Sequence, residues 1–223
     1  MHALFTQQDC FLAKSEWRRL WASRRDSYSA LVDEFWECFA LCASVMQQTH
    51  QLRTRLGDSI RVDVDRTLGL VREAEDLRNR LIAWYETVVE YMPSPREVAT
   101  TDPESLYPTA LTYPSVWLGT LYMGHWASLL IVQSTLETCG YPTDSLDSNQ
   151  ALVEKILKSV ECTSKGLMGP YRIGYSMWIA AEFAGPPERA WIMRVLGRTS
   201  SMFAATTPTG EADEGWLLGP SQI

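Results

Sequence analysis

Histidine is nearly missing from this chain, which carries His2, His50 and His125 and no others. A metal site built on several imidazoles cannot be assembled from residues so few and so scattered, and no HExxH run is present. Cysteine is scarce as well. Cys10, Cys38, Cys42, Cys139 and Cys162 are an odd set without a single CxxC, which argues against a disulfide framework and against a zinc site. We read all five as reduced, small apolar side chains in an intracellular protein of the cytoplasm or nucleus. No secretory signal pattern opens the chain. The phosphate-cradling and nucleophile motifs GxGxxG, GxxxxGK[ST] and GxSxG are absent, as is a DxDxDG loop. The reading therefore assigns no cofactor and no metal.

Positive charge is also in short supply. Twenty Lys and Arg face 27 Asp and Glu, leaving a formal net charge of -7. A domain that grips phosphates by itself shows a basic face, so direct nucleic-acid binding is not expected. Arg18, Arg19, Arg24 and Arg25 cluster among Trp17, Trp21 and Tyr28, which reads as a solvated helix face. Long apolar runs are limited to Val116–Val132, and no Asp, Glu, Lys or Arg occurs between Ser105 and Leu136. The run is interrupted by Gly119, Thr120, Gly124, His125 and Ser128 and falls short of the roughly 20 residues a membrane span requires. A helix buried by other helices accounts for it better, and no membrane span is expected.

What the chain does have is aromatic mass and helical periodicity. Apolar residues make up 46% of it, with nine Trp and nine Tyr. Such rings fill space between long helices, line a cavity or form a partner surface, because each must place a polar atom when buried. The first helix is expected over 9–22. A second follows Ser27, with Leu31, Phe35, Cys38, Cys42 and Val45 at the three- and four-residue spacing of one face, widened by Phe39, Ala43 and Met46. Asp58 and Ser59 offer caps to a third helix, about Ile60 to Tyr91, whose stripe runs Val64, Leu68, Val71, Leu77, Leu81, Trp84, Val88, Tyr91. Its outer side carries Arg72–Asp76 and Asp76–Arg80 at salt-bridge spacing.

Pro93 and Pro95 end that helix. Residues 92–114 read as an ordered crossover with a helical turn near Pro103–Leu106. Ser115 starts a central fourth helix that Gly140 stops. Asp147 and Gln150 have capping-box spacing for a fifth, with Leu152, Ile156, Leu157 and Val160 inward and Glu154, Lys155 and Lys158 outward. A sixth spans Tyr171–Ala184 and a seventh Glu188–Arg198, with Trp191, Ile192 and Val195 facing inward. The fold class is thus all-α: a compact array of about seven helices with a proline-rich crossover and a loose C-terminal tail. One domain covers 1–198, and 199–223 form a flexible tail that Trp216, Leu217 and Leu218 dock at its end.

Chemistry, if there is any, falls to a few residues. His125 sits mid-helix among Leu121, Tyr122, Trp126 and Leu129, where an imidazole acts as a shifted base or as a hydrogen-bonded core residue. Arg172 and Glu182 are the only charges between Lys165 and Glu188. Buried, each needs a partner, and His125, Asp102 and Glu137 are the candidates. His125, Glu182 and Arg172 are accordingly the catalytic candidates if the protein is an enzyme, with Tyr122, Trp126, Tyr175 and Trp178 lining its ligand pocket.

The segments WYETVVEYMP, YPSVWLGTLYMGHWASLLIV and GPYRIGYSMWIAAEFAGPPERAWIMRVLGR, in this order and with a proline-rich crossover after the first, resemble the regulatory (middle homology) region of fungal zinc-cluster transcription factors. Gly169-Pro170, the run to Ala180-Ala181, and Pro187-Glu188 through Trp191-Ile192 carry the likeness, which covers about Leu31 to Arg198. The family's six-cysteine DNA reader is not present in this sequence. The resemblance implies a regulatory or protein-interaction domain that does not touch DNA itself, with a protein partner or a second copy of the chain. The alternative is a small secondary-metabolism enzyme of cyclase or isomerase type, using cofactor-free acid–base chemistry on an apolar substrate in an aromatic pocket. A sensor that binds such a molecule without turning it over is the third reading.

Overall fold

The computed structural model describes residues 27–57, 63–141 and 147–200. The expected helix over 9–22, the caps Asp58 and Ser59, and the tail from 201 onward lie outside the described residues. The six other expected helices are all present: α1 Ser27–Gly57, α2 Val64–Tyr91, α3 Val116–Thr138, α4 Asn149–Thr163, α5 Gly169–Phe183 and α6 Pro186–Ser200. One two-stranded hairpin, β1 Arg96–Ala99 and β2 Thr109–Thr112, is the only strand structure among the described residues. The fold is all-α with minimal strand content. It divides into two compact units, one with described residues 27–57, 63–90 and 131–141, the other with 91–130 and 147–200.

In the first unit α1 and α2 run antiparallel, since Trp84 lies against Phe35 at 5.1 Å between ring centroids and Gln48 donates to Glu73 at 2.7 Å. From Phe35 on the α1 stripe is buried as the spacing predicts, Leu31 being only half-buried, and its continuation through Leu52 carries the helix on to Gly57. The α2 stripe differs at its start. Val64 and Leu68 are exposed, and burial begins at Leu70, Val71 and Ala74. Asp63 caps the helix four residues after the expected Ser59, accepting from the backbone N–H groups of Asp65 and Arg66 at 3.1 and 3.3 Å. Arg80 forms its ion pair with Glu37 of α1 at 3.2 Å, where the spacing had pointed to Asp76. Beneath the rings, Thr49 and Thr135 share a buried hydroxyl–hydroxyl bond of 2.8 Å, and Arg53 donates to Ser134 and Thr138, each at 2.7 Å.

In the second unit the crossover 92–114 holds a hairpin that the sequence did not announce, and the turn expected near Pro103–Leu106 is a single one in its loop, with Ser105 N–H donating to the Asp102 carbonyl at 3.1 Å. Arg96 pairs with Thr112 and Ala99 with Thr109, and Thr100 N–H donating to the Pro108 carbonyl at 3.1 Å closes the loop between them. Four-residue strands, with β1 exposed along its whole length, leave no alternation to read. Their stability comes from α4. Lys158, expected to face solvent, reaches Glu97 at 2.8 Å and Glu154 at 2.6 Å with its amine 5.5 Å from the centre of the Tyr107 ring. The α4 cap is Ser148, whose hydroxyl accepts from Ala151 N–H at 3.2 Å, one residue after the expected Asp147. The α4–α5 connection is tight enough that a Cβ on Gly169 would sit 1.7 Å from the Ser164 carbonyl oxygen. Ser115 caps α3 as expected, accepting from Leu118 N–H at 3.1 Å. Residues 121–136 of α3 are buried without a break, and no helix among the described residues is long and apolar enough to cross a membrane.

Candidate functional site

Helical spacing in the second unit brings a set of apolar side chains to one place. Trp191 and Val195 are four residues apart on α6 and share a face, Val160 continues the inward stripe of α4, and Ile173 follows Pro170 one turn into α5. All are buried. They form the floor of an open cleft of about 390 Å³, with Ser164, Gly166 and Leu167 of the α4–α5 connection on one side and Asp102 of the hairpin loop on another. That volume lies within the ~300–1,000 Å³ range of ligand sites.

The hairpin loop is tied down at both ends of the cleft. Glu161 of α4 accepts from the Thr100 hydroxyl at 2.7 Å, from the Thr101 hydroxyl, and from Thr101 N–H at 3.2 Å. On the far side Trp191 Nε1 donates to the Glu104 carbonyl at 2.7 Å and Arg198 pairs with the Glu104 carboxylate. Trp191 thus satisfies its polar atom on the backbone, leaving its ring as apolar surface. The Thr101 and Thr100 hydroxyls, in that order, hold the Glu161 carboxyl below the ordinary range. It is a carboxylate at neutral pH.

The seven residues singled out from the sequence lie elsewhere. Tyr122 is fully buried, 5.7 Å from the Tyr113 ring and 5.8 Å from Trp126 between centroids, with Tyr113 Oη bonded to Ser159 Oγ at 2.5 Å. His125 is buried on the same helix, and desolvation, reinforced by the positive charge of Lys155, pushes its pKa down to about 3. At neutral pH it is an uncharged imidazole and a weak base. Glu182, at the C-terminal end of α5, is buried and pairs with Arg189 of α6 at 3.9 Å. Arg172, near the start of α5, donates to the Lys165 carbonyl at 3.0 Å. Ten residues of helix separate the two charges by about 15 Å, and each is met locally. Asp102 accepts from Glu104 N–H at 2.9 Å. Tyr175 is buried and Trp178 half-buried. None of the seven lines the cleft.

Among the described residues no group of three or more His, Cys, Asp or Glu is placed to hold a metal ion. Cys38 and Cys42 are buried free thiols, and desolvation raises the Cys38 pKa to about 11. Comparison with family models, curated proteins and solved structures returns no match.

Proposed function

We propose that the second unit binds an apolar small molecule in the cleft between the hairpin loop and helices α4, α5 and α6, as a small cofactor-free enzyme or a ligand-binding domain. The observation that carries this reading is the cleft itself. It has a buried apolar floor, a cavity of about 390 Å³, and a few polar groups at its edge. Rotation of a ring, closure of a chain or migration of a double bond in an apolar substrate needs shape, a few donors and one acid or base. Asp102, Glu161 and Arg198 are the ionisable groups that line the cleft, so acid–base chemistry there falls to the two carboxylates and not to His125.

A second reading has its own support. Leu167, on the cleft edge, is 78% exposed and the adjoining Met168 is 50% exposed, the kind of apolar surface that meets a protein partner. Together with the resemblance to fungal regulatory regions, this favours an interaction domain. Native mass spectrometry of the protein isolated gently from its host separates the two. A co-purifying molecule of a few hundred daltons, absent from Val195→Phe in which a larger ring fills the cleft, is the outcome we expect. A protein partner or homodimer with no small ligand would decide for the interaction domain.

A further inference from the structure

The cleft is not electrically neutral. Asp102, Glu161 and Arg198 are its charged lining residues. Arg198 is engaged by Glu104, which does not line the cleft. The lining itself therefore keeps the negative charge of Asp102 and Glu161, with Lys165 the positive group that acts on Glu161 from outside it. Glu161 is fixed in place by Thr100 and Thr101, one hydroxyl to each of its oxygens. Thr101 N–H lies between the same two oxygens, at 3.2 and 3.3 Å, so of the roughly four acceptor positions of an ionised carboxylate about one is left for a ligand donor. Asp102 accepts from Glu104 N–H on Oδ1. The rest of the lining is largely apolar: Val160, Leu167, Pro170, Ile173, Trp191 and Val195.

An apolar floor beside two oriented carboxylates discriminates by charge as well as by shape. A neutral apolar molecule uses the floor alone. An anion of the same shape meets repulsion, and an ammonium gains charge-assisted hydrogen bonds. We propose that the ligand of this cleft is an apolar molecule ending in a protonated amine, its hydrocarbon on Val160, Ile173 and Val195 and its ammonium against Asp102 and Glu161. This rests on the reading of the cleft as a small-molecule site and adds the class of molecule it takes.

The test is isothermal titration calorimetry of the full chain with three probes of one shape: phenylbutylamine, phenylbutanol and phenylbutanoate. The amine binds roughly tenfold tighter than the alcohol, the worth of one partly screened charged hydrogen bond, and the carboxylate binds weakest. Glu161→Gln removes most of the amine's advantage. Because that variant also loosens the hold on Thr100 and Thr101, Asp102→Asn serves as the second, and it too narrows the gap. Equal binding of all three probes overturns the charge selection and leaves the cleft reading standing. Binding of none overturns both. An amine preference that survives in both variants places the amine elsewhere and overturns the assignment.

Discussion

Helix α3 carries a glycine at position 119 whose replacement by alanine makes a strong test of the packing in the second unit. A Cβ added there would lie 2.6 Å from Thr163 Cγ2 and 2.7 Å from Tyr113 Cδ2. Neither neighbour yields easily. Tyr113 is held through its hydroxyl by Ser159, and Thr163 donates to the Ser159 carbonyl at 2.8 Å. Overpacking of this kind costs about 1–3 kcal/mol, while alanine recovers roughly 1 kcal/mol of helix propensity over glycine, so Gly119→Ala is destabilising by up to about 2 kcal/mol. The control is Gly69 in α2, where an added Cβ meets nothing within 4 Å. Gly69→Ala gains the propensity without the clash and stabilises by roughly 0.5–1 kcal/mol. Differential scanning calorimetry reads the two signs directly, at about 2–4 °C per kcal/mol for a chain of this size. Should Gly119→Ala raise Tm as much as Gly69→Ala, the close approach of α3 to α4 and Tyr113 would be refuted.

Acid sensitivity follows from His125. Its folded pKa is about 3 against an ordinary 6.5, so the unfolded chain binds one more proton between these values, and the stabilisation present above pH 6.5 is lost as pH falls. The expected slope is about 1.4 kcal/mol per pH unit in that window, measured by urea unfolding across pH 5 to 6.5, and His125→Gln flattens it. Thr49→Val removes one member of the buried Thr49–Thr135 pair and costs about 1 kcal/mol. The double replacement with Thr135→Val costs less than the sum of the two single changes in a denaturation cycle. Trp84→Phe and Trp191→Phe each lose an indole bond to a backbone carbonyl, at Leu31 and Glu104, and each destabilises by about 1–3 kcal/mol. Trp191→Phe alone also weakens small-molecule binding in calorimetry, because only Trp191 borders the cleft.

The helices were legible because burial and periodicity agree along them. Phe35, Cys38, Cys42 and Val45, or Leu152, Ile156 and Val160, mark one face whatever packs on it. The places where the reading slipped are those where a partner far along the chain decides. Val64 and Leu68 sit at core spacing but precede the buried part of α2. Lys158 looks like a solvent-side lysine until Glu97, some sixty residues earlier, arrives over it with Tyr107. The hairpin shows no two-residue alternation, since its strands are short and β1 is exposed. The cleft was illegible for the same reason: Asp102, Glu161, Ile173 and Trp191 come from four separated segments, and no local pattern joins them. Glu161 is on the outward side of a charged helix, where a carboxylate is ordinary. The preceding Thr100-Thr101 pair, which orients it, gives no sign of its target.

The richness in rings left space-filling and cavity-lining both open for a related reason. A high count of Trp and Tyr reads as an aromatic cavity only if the polar ends are left over for a ligand. In this fold the indole nitrogens of Trp84 and Trp191 bond to main-chain carbonyls, and the Tyr113 hydroxyl bonds to Ser159. Those bonds make the rings structural posts. Tyr122 and Trp126 belong to the same stack, and His125 beside them is held uncharged by burial. The uncharged helix that drew attention to His125 is buried along residues 121–136 because it is the core, and a core residue with a depressed pKa contributes packing more readily than proton transfer. The ionisable side chains that line the cleft belong to the second unit, on α4, α6 and the hairpin loop. Chemistry that needs a charged partner has its means there.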